Sequence, residues 1–377
     1  QSSIVQQEWE TSFAFGKVII PIGDPDLSLP IPLQTLSIMD IQNYETVLDK
    51  ICEAIDNTQD APIPHHHFLP QNSYIPSNVQ HHCKERDIEL LTLYHHIRKN
   101  KIVILTQDPK YEELEGVGKT TLALEFAHRF SYAFPDGILW LYNTNKWHYE
   151  IQKIVYELNI YNESPEYNLT LDSIIKFQQY IHQHPNILLI IDNLTDPNIL
   201  HKELFPNFTL AKLHCKILCT SPKYYEHSDV INYQLNNFST QSALKILIGN
   251  SPAITAQETQ AAKQICQFIH GHALSLHLIQ AEKKFNTDLT YTEYYQYLLQ
   301  EKEKQEQKEI KEKSKDSPIW QQHFHTISII LNRWKMYVSN DFTWGMSMIA
   351  SLFPLGEIHT IKKLQLFTDI HTETENI

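Results

Sequence analysis

The stretch that decides the fold of this chain is Glu115-Gly116-Val117-Gly118-Lys119-Thr120-Thr121. It follows an apolar run, residues 101–106, and it opens an amphipathic stretch, residues 122–130. Strand, tight turn and helix in that order place backbone N–H groups at the start of a helix, where they face an anion. Two of the chain's nine glycines lie within three residues here, where a backbone must come close to a bound group. The sequence therefore predicts a phosphate-binding loop.

The side chains of this stretch add to the prediction. The Lys119 ammonium can reach terminal phosphates, and the Thr120 hydroxyl can bind Mg²⁺. We therefore expect ATP or ADP with Mg²⁺ as ligands. The predicted cofactor-binding residues are Gly116, Val117, Gly118, Lys119, Thr120 and Thr121. The alternative is an ordinary glycine-containing turn.

Acidic residues beside the loop oppose tight binding of a phosphate. Glu113 stands where such loops usually have their first glycine, and Asp108, Glu112 and Glu115 are also near in sequence. Carboxylates near a triphosphate repel it unless they point outward or meet Mg²⁺. The sequence therefore leaves the strength of nucleotide binding open.

Composition narrows the class of protein. A chain of 377 residues suggests two or three domains. Its 31 basic and 44 acidic residues give a net charge of −13, which argues against a dedicated nucleic-acid binder. No apolar run reaches the ~20 residues that span a bilayer, so no membrane segment is expected. Five scattered cysteines fit a reducing cytoplasm, and the start at Gln1 suggests a fragment of a longer protein.

Apolar runs alternate with helical segments through the middle of the chain. Strands are predicted at residues 17–22, 101–106, 137–142, 186–191, 216–220 and 230–234. Helices are predicted up to residue 15, at 44–55, from 88 and throughout 240–299. Alternation of this kind predicts an α/β fold with a doubly wound parallel sheet.

The predicted domain organisation follows these patterns. A proline-rich linker and a charged run separate the more regular segments. The charged run reads either as a solvated helix or as a linker. The predicted divisions are 1–57, a linker at 58–82, a nucleotide-binding domain at 83–235, a helical domain at 236–300, the charged linker at 301–318 and a last segment at 319–377.

A second candidate residue lies at the end of a predicted strand. Asp192 follows the apolar run 186–191, and strand carboxyl ends face the ligand crevice in nucleotide-binding α/β folds. Asp192 is therefore predicted to bind Mg²⁺ and to take part in hydrolysis. The alternative is a strand-end carboxylate that caps a turn. The hydroxyl groups of Thr220 and Ser221, at the end of the next strand, suit the sensing of a γ-phosphate.

Five motifs in order resemble an NB-ARC domain of the STAND class of signal-transducing P-loop ATPases. They are residues 116–121, 134–140, 188–193, 217–221 and 271–276, and the resemblance covers about residues 83–300. It implies a P-loop NTPase domain, a helical domain and, at residues 346–358, the start of a winged helix. It also implies a switch in which ADP holds a closed monomer and ATP permits homo-oligomeric assembly.

The chain departs from the pattern of that family at three places. Pro222 stands where the sensor strand often ends in arginine, and Ala273 replaces the proline that packs near adenine. The chain also ends before the winged-helix histidine that contacts ADP. A non-hydrolysing nucleotide-binding scaffold is therefore an alternative to a slow ATPase.

The N-terminal residues 2–9 and 15–22, with the helix that follows, resemble the last half of a TIR domain. In TIR enzymes that cleave NAD, a helix glutamate at the position matched by Glu8 acts at the ribose. The resemblance implies a TIR-linked immune or stress-signalling protein, with an NADase as a third functional alternative. Glu8 as a solvent-facing helix residue is the other interpretation, and we expect no complete NADase site in this chain.

Other clusters of reactive side chains favour structural roles. Two histidine-rich segments, residues 65–67 and 81–83, offer metal-ligand types without a framework that would bring them to one ion. Cys215 and Cys219 are expected to fill a core. The tyrosines between residues 291 and 297 are expected to pack rather than to stack on bases.

Overall fold

The structure, a computed structural model, describes residues 3–15, 17, 19–24, 26, 28–30, 33, 38–40, 44–57, 69–76, 85–108, 116–142, 147–160, 169–196, 198–200, 204–205, 214–249, 254–312, 327–330 and 333. Several predictions fall outside these residues. They concern the two histidine-rich segments, the acids at 112, 113 and 115, and the winged-helix resemblance at 346–358.

The chain divides into two compact units. The first contains residues 1–104, 121–220 and 225–233, and the second contains residues 105–120, 221–224 and 234–377. The domain boundaries that the sequence suggests remain predictions.

The N-terminal residues form two helices and a short strand pair. Helix α1 is Ser3–Ala14, and helix α2 is Tyr44–Asn57, as the sequence predicts. The predicted strand at 17–22 is wrong in extent, because the only strand in that segment, as far as the structure describes it, is β1 (Ile22–Gly23). It pairs in parallel with β2 (Met39–Asp40). Pro21 has no N–H to donate, so only its carbonyl, which accepts from the Met39 N–H at 2.9 Å, joins the ladder.

Among the described residues, five strands form the main sheet, in the order β4-β5-β6-β3-β7. The strands are β3 (Ile102–Thr106), β4 (Ile138–Tyr142), β5 (Leu188–Asp192), β6 (Lys216–Thr220) and β7 (Val230–Gln234). Strand β5 pairs in parallel with both β4 and β6. Strand β3 runs parallel to β6, because the N–H groups of residues 217 and 221 bond the carbonyls of residues 101 and 105 in the same order. The predicted parallel α/β fold is confirmed.

Strands β3, β4, β5 and β6 are buried along almost their whole length, whereas in β7 only Val230 is buried. Continuous apolar runs of this kind are typical of parallel strands that are covered on both faces. Helices α5 (Trp147–Glu157) and α6 (Leu169–Gln183) contribute Ile151 and Phe177 to the buried cluster that contains Leu139 and Leu189.

The two cysteines near β6 belong to the same cluster, as the sequence predicts. Cys215 and Cys219 are fully buried. Burial raises the pKa of the Cys215 thiol to about 12 and also raises the pKa of the Cys219 thiol. Both side chains are therefore neutral and unreactive at physiological pH.

Two further helices flank the glycine-rich stretch and β3 in sequence. Helix α3 is Asp87–Lys99, and helix α4 is Lys119–Arg129. The buried Arg129 guanidinium donates to Glu125 Oε1 at 2.6 Å and to Asp87 Oδ1 at 2.6 Å. This pair of bonds ties the end of α4 to the start of α3.

The described residues between 240 and 299 form mainly helices, as predicted. Its helices are α7 (Thr240–Ile248), α8 (Ala256–Phe268), α9 (Ala273–Phe285) and α10 (Tyr291–Glu312). Tyr291 and Tyr294 are buried in the core of these helices, which confirms a packing role for the tyrosine tract. Helix α10 continues into the charged run as far as Glu312, so the helical interpretation of that part is correct.

Candidate functional site

The glycine-rich loop lies between the end of β3 and the start of α4. Its described part has both glycines in the left-handed region of backbone space, with φ of +106° at Gly116 and +100° at Gly118. Residues with a Cβ adopt this conformation at a cost, whereas glycine adopts it freely. The loop then turns directly into α4, whose first residue is Lys119.

The surroundings of the two glycines differ. A Cβ at Gly116 would lie 2.7 Å from Leu274 Cβ and 3.0 Å from His272 Cε1, so a larger residue would clash there. A Cβ at Gly118 would meet only Ala273 Cβ, at 3.9 Å. Gly116 therefore allows close packing of the loop, and Gly118 leaves an open approach to the backbone, as a bound phosphate requires.

The start of helix α9 holds the loop in place. The Leu274 N–H donates to the Gly116 carbonyl at 3.0 Å. His272 caps the same helix end, because its Nδ1 accepts from the Ser275 N–H at 3.4 Å. The motif at residues 271–276, noticed in the sequence for its resemblance, thus contacts the loop directly.

The lysine of the loop is bound to a residue that sequence reasoning missed. Lys119 Nζ donates to Gln107 Oε1 at 2.5 Å. Lys119 is partly buried, and Gln107 is only 2% exposed. The sequence carried one signal, which is a polar residue directly after the buried strand β3. That signal alone does not identify the bonding partner.

The remaining predicted loop residues differ in exposure. Val117 is buried, Thr120 is partly buried and the Thr121 side chain is exposed. The hydroxyl of Thr120 stays a candidate Mg²⁺ ligand. The assignment of Thr121 as a cofactor-binding residue stays a prediction.

A cavity of about 240 Å³ adjoins the loop within the second unit. Its lining includes Gln107 and Val117 on one side and residues 235–237, after β7, on another. Asp108, His270 and His272 complete the polar part of the lining. Burial lowers the pKa of His270, so this ring is neutral at physiological pH. The cavity therefore offers apolar surface and polar groups beside the loop, and the carboxylate of Asp108 is one of these groups.

Asp192 is the last residue of β5, as the sequence predicts, and it is 1% exposed. Its Oδ1 accepts from the Thr220 hydroxyl at 2.6 Å. The same hydroxyl accepts from the Asn193 N–H at 2.8 Å, and the Leu194 N–H donates to the Thr220 carbonyl at 2.7 Å. Asp192 thus joins the ends of β5 and β6, and the Thr220 hydroxyl, expected to sense a phosphate, is bonded to it.

Glu8 lies on α1 with an exposed side chain, as its solvent-facing interpretation expects. The buried acid of this helix is Glu10, which is 2% exposed. Its Oε2 accepts from Arg98 Nη1 at 3.1 Å, and its Oε1 accepts from the Tyr94 hydroxyl at 3.4 Å. Glu10 therefore anchors α1 on α3, a role that local sequence does not reveal. The NADase role of Glu8 stays a prediction.

The described residues contain no group of three or more His, Cys, Asp or Glu side chains placed to hold a metal ion. No described helix has both the length and the apolar character needed to cross a membrane.

Comparisons with known proteins give structural similarity alone. No protein-family model and no curated protein matches this sequence. A signal transduction ATPase with numerous domains (STAND) and a tetratricopeptide repeat sensor from Pyrococcus horikoshii is similar over 57% of this chain and 32% of its own, with 16% identity and a TM-score of 0.36. A Walker-type ATPase of Pyrococcus abyssi is similar over 78% of this chain and 93% of its own, with 12% identity and a TM-score of 0.41. PCH-2 of C. elegans is similar over 51% of this chain and 62% of its own, with 15% identity and a TM-score of 0.28. The chain thus spans about a third of the length of the STAND protein.

Proposed function

We propose that this chain is an adenine-nucleotide-binding switch of the STAND class. One observation carries the proposal. Buried parallel strand β3 leads to a loop with Gly116 and Gly118 in the left-handed region, and helix α4 begins directly at Lys119. The connections after β3 and after β6 run in opposite directions across the sheet. Open parallel sheets bind their ligands at the carboxyl ends of strands where the strand order reverses in this way.

The loop supplies the groups that a phosphate needs. Backbone N–H groups at the start of α4, together with the positive end of the helix dipole, stabilise an anion. The Lys119 ammonium adds a charge-assisted hydrogen bond to a phosphate oxygen. The open approach at Gly118 fits a phosphate that contacts the backbone itself.

The metal ion and the nucleoside also have candidate binding residues. Thr120 and Asp192 are the proposed Mg²⁺ ligands, and the metal would supply charge neutralisation at the phosphates. Mg²⁺ commonly takes one or two protein oxygens and completes its shell with water and phosphate. The cavity beside Val117 is the proposed pocket for the nucleoside, because it combines apolar surface with polar groups.

Calorimetric titration with ADP and with ATP, each with Mg²⁺, tests the proposal. We expect the wild-type chain to bind both. Lys119→Ala is expected to lower the affinity about 10- to 150-fold, because one charge-assisted hydrogen bond contributes about 1.5–3 kcal/mol.

Lys245→Ala is the matched control, since it removes an exposed lysine of α7 in the same unit. It is expected to leave the affinity unchanged. Equal affinity in wild type and Lys119→Ala would refute the assignment of the loop. Binding without measurable ATP turnover would favour the scaffold alternative over a slow ATPase.

We also propose where the protein acts and how it assembles. We infer a cytoplasmic protein in which exchange of ADP for ATP permits homo-oligomeric assembly, as part of a TIR-linked immune or stress-signalling protein. The net charge of −13 supports a partner other than nucleic acid, and no membrane partner is proposed. Light scattering with ADP and with a non-hydrolysable ATP analogue tests assembly, and an equal mass in both would contradict it.

A further inference from the structure

We propose that residues 69–76 form an autoinhibitory strap on the edge of strand β4, and that a second copy of this chain pairs with the same edge when the strap is released. The strap lies within the predicted linker, and β4 is an end strand of the main sheet. An edge strand offers its N–H and C=O groups to other strands, so a cover on the edge decides what can pair with it. The inference does not depend on nucleotide binding.

The strap bonds the backbone of β4 as a very short parallel strand. The Tyr74 N–H donates to the Ile138 carbonyl at 2.8 Å, and the Trp140 N–H donates to the Tyr74 carbonyl at 2.8 Å. The Ile138 N–H donates to Ser73 Oγ at 3.1 Å. Pro76 has no N–H, so the strap cannot donate from the next residue on the same side. Three backbone groups of β4 are therefore bound to the strap.

Gly137, directly before β4, leaves room for the strap. Its φ of +127° lies in the region that favours glycine, and an added Cβ would overlap the Asn72 carbonyl oxygen. The Tyr74 side chain packs against the buried cluster of the sheet. Backbone bonds, a glycine and an apolar anchor thus all fit residues 72–74 to this edge.

The sequence of β4 favours pairing with a copy of itself. Residues 138–142 are Ile-Leu-Trp-Leu-Tyr, a run with high β propensity and with no charge, proline or glycine. Alternate residues of a strand direct their backbone groups to the same side, so residues 138, 140 and 142 face the edge. A two-fold axis at Trp140 would pair this residue with its own copy and residue 138 with residue 142, as hydrogen-bonded pairs of an antiparallel ladder.

The strap and a second copy exclude each other, because both need the Ile138 carbonyl and the Trp140 N–H. Pairing of β4 with itself closes at two copies, since each copy uses the same edge. A strap with only a structural role would stabilise the sheet without controlling assembly. Its release would then leave the mass of the protein unchanged.

Two variants release the strap from opposite sides. Tyr74→Pro removes the N–H that bonds β4, and Gly137→Ala places a methyl group against the strap. Ile75→Pro is the control for the first, because the next N–H along an extended chain points away from β4. Gly249→Ala is the control for the second, since Gly249 also has a positive φ, of +61°, but an added Cβ there would meet nothing within 4 Å.

Light scattering over a range of protein concentrations measures the mass, and circular dichroism checks the fold. We expect wild type and both controls to keep the mass of a monomer. Tyr74→Pro and Gly137→Ala are expected to approach twice that mass as the concentration rises. Hydrogen exchange locates the contact, because pairing through β4 slows the exchange of residues 138–142 in the concentrated sample.

A milder variant keeps the test open if both release variants unfold. Ser73→Ala removes one side-chain acceptor and strains no backbone, so we expect the same doubling of mass at higher concentration. Folded strap variants that keep the mass of wild type would overturn the inference, and so would association without slower exchange in residues 138–142. If the variants pair through β4 while wild type has the same mass with ADP and with ATP, the proposed nucleotide control of assembly fails and the strap inference stands.

Discussion

At the residue scale, two glycines two positions apart have different roles. Gly116 allows the loop to approach helix α9, where Leu274 Cβ would lie 2.7 Å from an added Cβ. Gly118 has the same sign of φ, but an added Cβ there would make only an ordinary contact with Ala273 Cβ, at 3.9 Å. The sequence predicts both glycines through their spacing to Lys119, but only the structure separates packing from access.

This difference leads to a prediction about alanine at each position. Both replacements force a residue with a Cβ into the left-handed region, at a cost of about 1–2 kcal/mol. In Gly116→Ala the new methyl group also overpacks against Leu274, and overpacking costs about 1–3 kcal/mol more. We expect urea denaturation to show the larger loss in the free energy of unfolding for Gly116→Ala.

Nucleotide titration of the more stable variant completes this comparison. Gly118→Ala is expected to be more stable than Gly116→Ala. It is still expected to bind ADP more weakly than wild type, because its methyl group enters the open approach to the backbone. Equal losses of stability in the two variants would show that the contact with α9 contributes nothing.

At the scale of elements, helices begin where side chains supply acceptors. Ser239 and Thr255 accept from backbone N–H groups three residues later, at the starts of α7 and α8. Such caps are visible in the sequence. The start of α10 has a local cap as well, since the Thr290 hydroxyl accepts from the Glu293 N–H at 3.1 Å. It also has a second cap, because Glu258 of α8 accepts from the Tyr291 N–H at 2.6 Å and from the Thr292 N–H at 3.2 Å. A cap from another helix leaves no local pattern, so the sequence does not predict it.

The Glu258 cap predicts a pH-dependent stability. Burial alone would raise its pKa, but hydrogen bonds from the Thr292 hydroxyl and from the N–H groups of residues 291 and 292 lower it below the ordinary value of 4.5. The pKa is thus lower in the folded state, so the stabilisation is present above about pH 4.5 and is lost as the pH falls through the folded value.

We therefore expect Glu258→Gln to lower the free energy of unfolding by about 0.5–2 kcal/mol at neutral pH, with a deficit that shrinks in acid. Denaturant titrations at several pH values measure it. Glu303→Gln, an exposed change on α10, is the control and should show no such deficit. A deficit that is constant from pH 7 to pH 3 would contradict an electrostatic cap.

At the scale of the whole molecule, the candidate residues belong to different compact units. Lys119 lies in the second unit, with Gln107 and the start of α9, and Asp192 lies in the first. Local sequence predicted each of these regions, because a buried apolar run and a glycine pair are local signals. The contacts of Gln107, Glu10 and Asp192 join residues far apart in sequence, and only the folded chain reveals them.

Asp192→Asn tests the proposed role of Asp192 in ATP turnover. Asparagine keeps an oxygen that can accept from the Thr220 hydroxyl, so the strand ends stay joined while the charge is lost. We expect phosphate release to fall at least about 10-fold and ADP affinity to stay within about threefold, because the metal-dependent step needs the carboxylate.

Glu226→Gln, an exposed change after β6, serves as the control for this experiment. Turnover that is unchanged in Asp192→Asn would leave Asp192 as a strand-end cap. Turnover that is absent in wild type would favour the scaffold alternative.

The bond between the Gly116 carbonyl and the Leu274 N–H also sets an order of events during synthesis. Leu274 follows Gly116 by 158 residues, so a ribosome adding about 5–20 residues per second needs roughly 8–30 s to pass from one to the other. Throughout that interval the nascent chain has its glycines and its lysine but not the helix that holds the loop. A half-made chain thus lacks the finished loop, and only a chain translated beyond α9 can present it.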